Sequence, residues 1–168
     1  MSNSPGESLS TIPVAPPSEW SLFNPAFIAV LLRQASDGWF KTTETGMHFS
    51  YGFLVLPLVL HGPSRRELPK STARALVAWI YENPALVETF PRNAKALSPY
   101  IAQGTLYGCA TGLIVSDGGL LYPGSARRRP SGLTSEVLEC FSKSAQVGRW
   151  LARQATPELT FGYLGVSP

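Results

Sequence analysis

The apolar runs of this chain are punctuated by a repeated start signal, an Asn-Pro or Ser-Pro pair: Asn24-Pro25, Asn83-Pro84 and Ser98-Pro99. An Asn or Ser side chain accepts a hydrogen bond from an unpaired N–H of the first helical turn. Proline costs little at the first helical position, where its missing N–H has no intrahelical partner. The first pair opens a predicted helix over Ala26–Ala35 that is apolar nearly all round, broken by Arg33 and Gln34, with Phe23 and Ile28 at the two positions of a hydrophobic staple. Such a helix is buried on most faces, within its own core or at an interface. Ser36-Asp37-Gly38 is expected to end it, and Trp39–Met47 to form a loop. The run Tyr51–Leu60 fits either a buried helix kinked at Pro57 or a short buried strand; Pro57 favours the helix because it would spoil a central strand. His61 is placed to cap the carbonyls at the end of that run, and Ser64-Arg65-Arg66-Glu67 has the spacing of a capping box opening one short turn.

Ser71 is expected to cap a helix over Thr72–Glu82, in which Ala73, Leu76, Trp79 and Ile80 share a face at i, i+3, i+4 spacing. Ala85–Leu97, broken near Pro91, and Tyr100–Thr111 follow as two further helices. Leu113-Ile114-Val115, Ser116-Asp117-Gly118-Gly119 and Leu120-Leu121-Tyr122 then read as apolar run, turn and apolar run, a β-hairpin. Ser125–Gly132 is a loop. Thr134 or Ser135 caps a last long helix reaching about Gln154, with Glu136 and Glu139 near its start and Arg149 and Arg153 near its end, as the macrodipole prefers. Leu138, Phe141, Ala145, Gly148 and Ala152 form its predicted inner stripe, and a final turn from Pro157 stops at Gly165. Residues 1–19, rich in Ser and Pro and without periodicity, read as a flexible tail, and 20–168 as one helical domain. The expected fold is mainly α with one hairpin. Three helices followed by a hairpin also give the element order of a winged helix-turn-helix variant, here flanked by additional helices.

Charge changes this picture. Charged residues make up 15% of the chain against 44% hydrophobic, a poor supply for covering a free-standing surface, so either part of that surface is hidden against a partner or the skin is polar but uncharged. The net charge of +3 is too small for a dense cationic patch. The third helix of the winged arrangement carries Gln103, Thr105, Tyr107 and Thr111 but no Lys or Arg, which argues against conventional DNA readout because phosphate contacts supply most of the affinity. Arg65, Arg66 and Lys70, and the loop residues Arg127, Arg128 and Arg129, are the candidate contacts to phosphate or to an acidic partner, or else solvated loops.

Candidate chemistry is sparse. His48 and His61 have no carboxylate or Cys at ligand spacing, and Cys109 and Cys140 are isolated, as buried small hydrophobes usually are. Gly104, Gly108 and Gly112 recur every fourth residue, a close-packing device and not a phosphate loop, since no Gly-Lys-Ser/Thr follows. No catalytic residue, cofactor or metal is expected. The N-terminus lacks a basic segment followed by an apolar run, and the longest apolar run is about half the ~20 residues of a membrane span, which leaves the cytosol as the expected location.

Four segments carry a family resemblance: Leu22-Phe23-Asn24-Pro25-Ala26-Phe27, Phe53-Leu54-Val55-Leu56-Pro57-Leu58-Val59-Leu60-His61, Glu82-Asn83-Pro84 and Tyr163-Leu164-Gly165-Val166. In this order they resemble the middle component of three-component ABC systems, from about Leu22 to Pro168; the Arg-rich loop and the Pro91 break look particular to this chain. The resemblance implies a non-enzymatic adaptor in a bacterial conflict or anti-phage operon. Its partners would be an ABC-type ATPase subunit, related to chromosome-maintenance and recombination-repair proteins, and an effector subunit. Sensing of foreign or damaged DNA would belong to the partners, so nucleic-acid contact would be indirect. On that reading Phe23, Asn24, Pro25, Phe27 and Leu31 of the first helix, with Ala145 and Gly148 of the last, are the expected partner-binding residues. A winged-helix DNA-binding regulator is the alternative.

Overall fold

The computed structural model describes residues 23–126, 133–154 and 156–167; the expected tail and Arg127, Arg128 and Arg129 lie outside them. The first helix, α1 (Pro25–Thr43), opens as its start signal requires, with the Asn24 side chain accepting the Ala26 N–H at 2.9 Å and Pro25 in the first turn. It does not stop at Ser36-Asp37-Gly38. The Ser36 hydroxyl donates to the Arg33 carbonyl, Lys41 pairs with Asp37 one turn apart, and the helix ends at Glu44 in the left-handed conformation. Gly38 is retained as a packing residue: a Cβ there would lie 2.2 Å from the Ala145 carbonyl oxygen. Local turn chemistry therefore yields to a tertiary contact.

After α1 come β1 (Met47–His48), a 3-10 turn (Phe49–Tyr51), α2 (Gly52–Leu60) and α3 (Gly62–Arg66). Helix α2 contains Pro57 and is buried along almost its whole length, the helical alternative expected of that run. His61 serves both neighbouring helices: its backbone N–H donates to the Pro57 carbonyl at the end of α2, and its side chain caps the start of α3. Its Nδ1 accepts the Ser64 N–H at 3.4 Å and lies 2.7 Å from the Ser64 hydroxyl. Ser64 consequently sits inside α3, and the capping box expected from Ser64 to Glu67 does not form.

Helix α4 (Leu76–Glu82) begins later than the Ser71 signal suggested; Ser71 caps only a turn, through the Ala73 N–H. The N–H of Leu76 is satisfied from far along the chain by the Gln154 side chain at 2.8 Å. The two helices expected over 85–97 and 100–111 are one helix, α5 (Pro84–Ala110), with Pro91 and Pro99 inside it. Each internal proline costs roughly 3 kcal/mol, offset by a face that buries Phe90, Ala94, Ile101, Gly104 and Gly108. Where three helices were expected over residues 72–111 as the core of a winged helix-turn-helix, the described residues hold two, one short and one long.

The hairpin itself is present as β2 (Ile114–Asp117) and β3 (Leu120–Pro123), with Gly118 and Gly119 at φ of 54° and 82°, values a tight two-residue turn demands. Strand β1 adds to it in the order β1-β3-β2, Met47 opposite Leu121, to give a three-stranded antiparallel sheet against α1. Helices α6 (Ser135–Leu151), capped by Thr134, and α7 (Pro157–Tyr163) complete the fold.

The core lies where α1 crosses α6 and α5, with α2 packed against both of the latter. At the α1–α6 crossing the backbones nearly touch: a Cβ on Gly148 would lie 2.0 Å from the Ala35 carbonyl oxygen, and the Ser144 hydroxyl donates to the Leu31 carbonyl. On α6 the buried face is Cys140, Ser144, Val147, Gly148, Trp150 and Leu151, so Leu138, expected inside, points outward. Trp79 and Trp150 meet edge to face, and their indole N–H groups donate to the Glu67 and Arg74 carbonyls, fixing the connection before α4.

Candidate interaction surfaces

The residues singled out on α1 and α6 are mostly consumed by folding. Leu31 is fully buried, Gly148 is pressed against Ala35, and Ala145 is half-buried under Gly38, so the small-residue face of α6 is filled by α1 of the same chain. Asn24 and Pro25 start the helix. Phe27 is half-buried against Phe141, while Phe23 keeps an exposed ring stacked on Tyr100 at 4.5 Å between centroids.

The two arginines of α3 part ways. Arg66 is exposed. Arg65 is buried and donates to the Val59 carbonyl at 2.8 Å, to Glu136 at 2.8 Å and to Glu139 at 3.3 Å. Burial opposes its charge, but the Cys140 sulfur and these two carboxylates outweigh that and hold its pKa above the ordinary arginine value. A guanidinium spent in this way ties α3 to the first turns of α6 and has little left for phosphate. Cys140 is buried beside it, and burial pushes its thiol up; Cys109 is exposed.

Both histidines use Nδ1 in a local cap, His61 at the start of α3. His48 opens the 3-10 turn by accepting the Ser50 N–H, and its Nδ1 lies 2.8 Å from the Ser50 hydroxyl. It borders an open cleft of about 590 Å³ whose other walls include Glu158, Phe161 and Val166. Among the described residues, no group of three His, Cys, Asp or Glu converges as metal ligands would.

Exposed apolar surface is better developed. Val77 and Tyr81 stand one turn apart on α4, Leu159 and Tyr163 one turn apart on α7, and all four are exposed, Tyr81 to 81%. Val77 and Tyr163 line a common cleft of about 300 Å³ between the two helices, floored by Leu76 and Thr160 and edged by Arg153. The sequence carried a signal for this pair of ridges: in each short helix two large apolar residues recur at i, i+4. On α4 they lie beside the Leu76–Trp79 stripe that enters the core.

The architecture defines a mainly helical protein with a small antiparallel sheet, whose polar side chains largely cap and clasp its own elements and whose apolar ridges face outward. The chain belongs to the ABC-three component (ABC-3C) system Middle Component 3 family, whose model matches residues 15–168. No curated protein and no solved structure matches it. Among the described residues no helix is long and apolar enough to cross a membrane.

Proposed function

We propose that this chain is a non-catalytic, cytoplasmic adaptor that joins an ABC-type ATPase to an effector subunit in a bacterial antiviral defence system. Its membership of a middle-component family supports a place between two other components. The observation that carries the adaptor reading is the pair of apolar ridges on α4 and α7: Val77, Tyr81, Leu159 and Tyr163 are large side chains left in water, and Val77 and Tyr163 line one cleft between the two helices. Aromatic and aliphatic residues of this kind around a concavity are the usual anchors of a protein interface. Here they form the docking site for an apolar segment of one partner, with Arg153 at the edge to meet an acidic residue.

The test is co-purification of the tagged full chain, expressed with the ATPase and effector gene products of its operon. Both are expected to be recovered at constant ratio. Tyr81→Asp with Tyr163→Asp, at exposed positions that leave the core intact, is expected to release one of them at least tenfold while leaving the far-UV circular dichroism unchanged. Recovery of the chain alone sinks the adaptor reading. Recovery of both partners by the double variant moves the docking site elsewhere.

A further inference from the structure

Helix α7 is a rib between two clefts. By the helical repeat, Thr160 and Tyr163 fall on the flank that lines the α4–α7 cleft, and Pro157, Glu158, Phe161 and Gly162 fall on the other. That second flank is a wall of the cleft of about 590 Å³ that His48 and Ser50 also line. Two local devices shape it. Gly165, at a φ of 67°, ends α7 in a turn whose N–H groups reach back along the helix, Gly165 to the Gly162 carbonyl and Val166 to the Phe161 carbonyl, each at 3.1 Å. This turns Val166 onto the cleft. Gly162 leaves the wall open, since a Cβ there would meet nothing within 4 Å.

The two clefts carry opposite charge. Arg153 edges the first and Glu158 the second; both are exposed, and among the described residues neither is in an ion pair. His48 does not offset Glu158. Its Nδ1 accepts the Ser50 N–H, which requires that nitrogen to be unprotonated. With Pro157, Phe161 and Val166 around it, the carboxylate stands at an apolar wall. The side chain that matches this combination has an apolar stem and a cationic head, as Lys and Arg do. The first cleft asks for the reverse charge.

An adaptor has to hold two different subunits without exchanging their places. One exposed ion pair adds little affinity, but a like charge forced into the same contact is repelled strongly enough to sort partners. We infer that the cleft between α7 and His48 is the docking site of the second partner subunit, entered by a Lys or Arg whose stem lies on Phe161 and Val166 and whose head pairs with Glu158. This rests on the adaptor reading and adds to it the surface that takes the other subunit and the chemistry that selects it.

Co-purification of the full chain with both operon products tests it. Glu158→Lys is expected to release, at least tenfold, the subunit that the Tyr81→Asp, Tyr163→Asp variant retains, and to keep the other. Glu158 also sits in the first turn of α7, where a carboxylate suits the helix dipole. A second pair of variants therefore separates charge from helix stability. The open space at Gly162 takes either of two long side chains: Gly162→Lys is expected to release the same subunit as Glu158→Lys, and Gly162→Glu to keep it. A wild-type chain recovered alone sinks the adaptor reading and this inference together. Retention of both subunits by Glu158→Lys and Gly162→Lys overturns the inference while the adaptor reading stands, as does equal release by the two Gly162 variants. If Glu158→Lys frees the subunit that the tyrosine variant also frees, one partner straddles α7 and the inference fails.

Discussion

The Arg65 guanidinium and the Cys140 thiol share a polar spot beneath the first turns of α6, and their neighbours set how the fold responds to pH. Burial pushes the thiol up; Arg65 pulls it down without cancelling that, and Glu136 and Glu139 add to the rise. In the unfolded chain a thiol loses its proton near pH 8.5; in the fold Cys140 keeps it to higher pH. Above that point the native state binds more protons than the unfolded one, so stability falls as pH rises, while below it the contribution is complete. Urea midpoints followed from pH 7 to 10 are expected to be flat at first and then to decline. Cys140→Ala should remove much of the decline between about pH 8.5 and 10. Tyr51, also pushed up by burial, takes over only at higher pH. An unchanged slope in Cys140→Ala would mean that the thiol does not report the folded environment.

Glycines show most clearly how the elements are held, because the same residue type has opposite meanings in three helices. Gly38 in α1 and Gly148 in α6 lie at the crossing where an added Cβ would meet a carbonyl oxygen at 2.2 and 2.0 Å, whereas around Gly162 in α7 there is nothing within 4 Å. Helix propensity favours alanine over glycine by about 1 kcal/mol, so Gly162→Ala is expected to stabilise by up to about that much. Gly38→Ala and Gly148→Ala are expected to destabilise by about 3 kcal/mol, at the upper end of overpacking costs, since backbone cannot move aside as a flexible side chain can. Thermal or denaturant melts of the three variants check both signs. The same crossing explains what was legible in the sequence. Local signals with no competitor held: Asn24-Pro25 starts α1, Gly118-Gly119 turns the hairpin, and Thr134 caps α6. Where a distant surface competed, local signals failed. Gly38 reads as a terminator until Ala145 is laid on it, and Pro91 and Pro99 read as breaks until Phe90 and Ile101 are seen to be buried. Strand β1, two residues long, has no pattern to find, and Gln154 capping α4 joins positions 78 residues apart. The α4 and α7 ridges were visible as i, i+4 pairs, but nothing in one sequence tells which apolar stripe of a short helix faces inward.

For the molecule as a whole, the scarcity of charge makes salt the variable that separates the proposed adaptor from a nucleic-acid binder, by a route that needs no mutation. Among the sequence's cationic candidates, Arg65 is held by two carboxylates, and α5 carries no charge beyond Lys95. Large apolar side chains are left exposed at the ridges about Tyr81 and Tyr163 and at Leu106. Raising salt from 0.1 M to 1 M shortens the screening length from about 10 Å to about 3 Å, which weakens contacts between exposed charges and leaves apolar burial intact or slightly stronger. The complex with the ATPase and effector subunits is therefore expected to be recovered in equal yield at both concentrations. Binding carried by phosphate contacts behaves otherwise, losing about a thousandfold between 50 and 200 mM salt for six or so contacts. A tenfold or greater loss of either subunit at 1 M would place the attachment on charged residues, with Arg66 and Arg153 the first to substitute. Equal recovery would confine it to the apolar ridges, where one aspartate in place of Tyr81 or Tyr163 does what salt cannot.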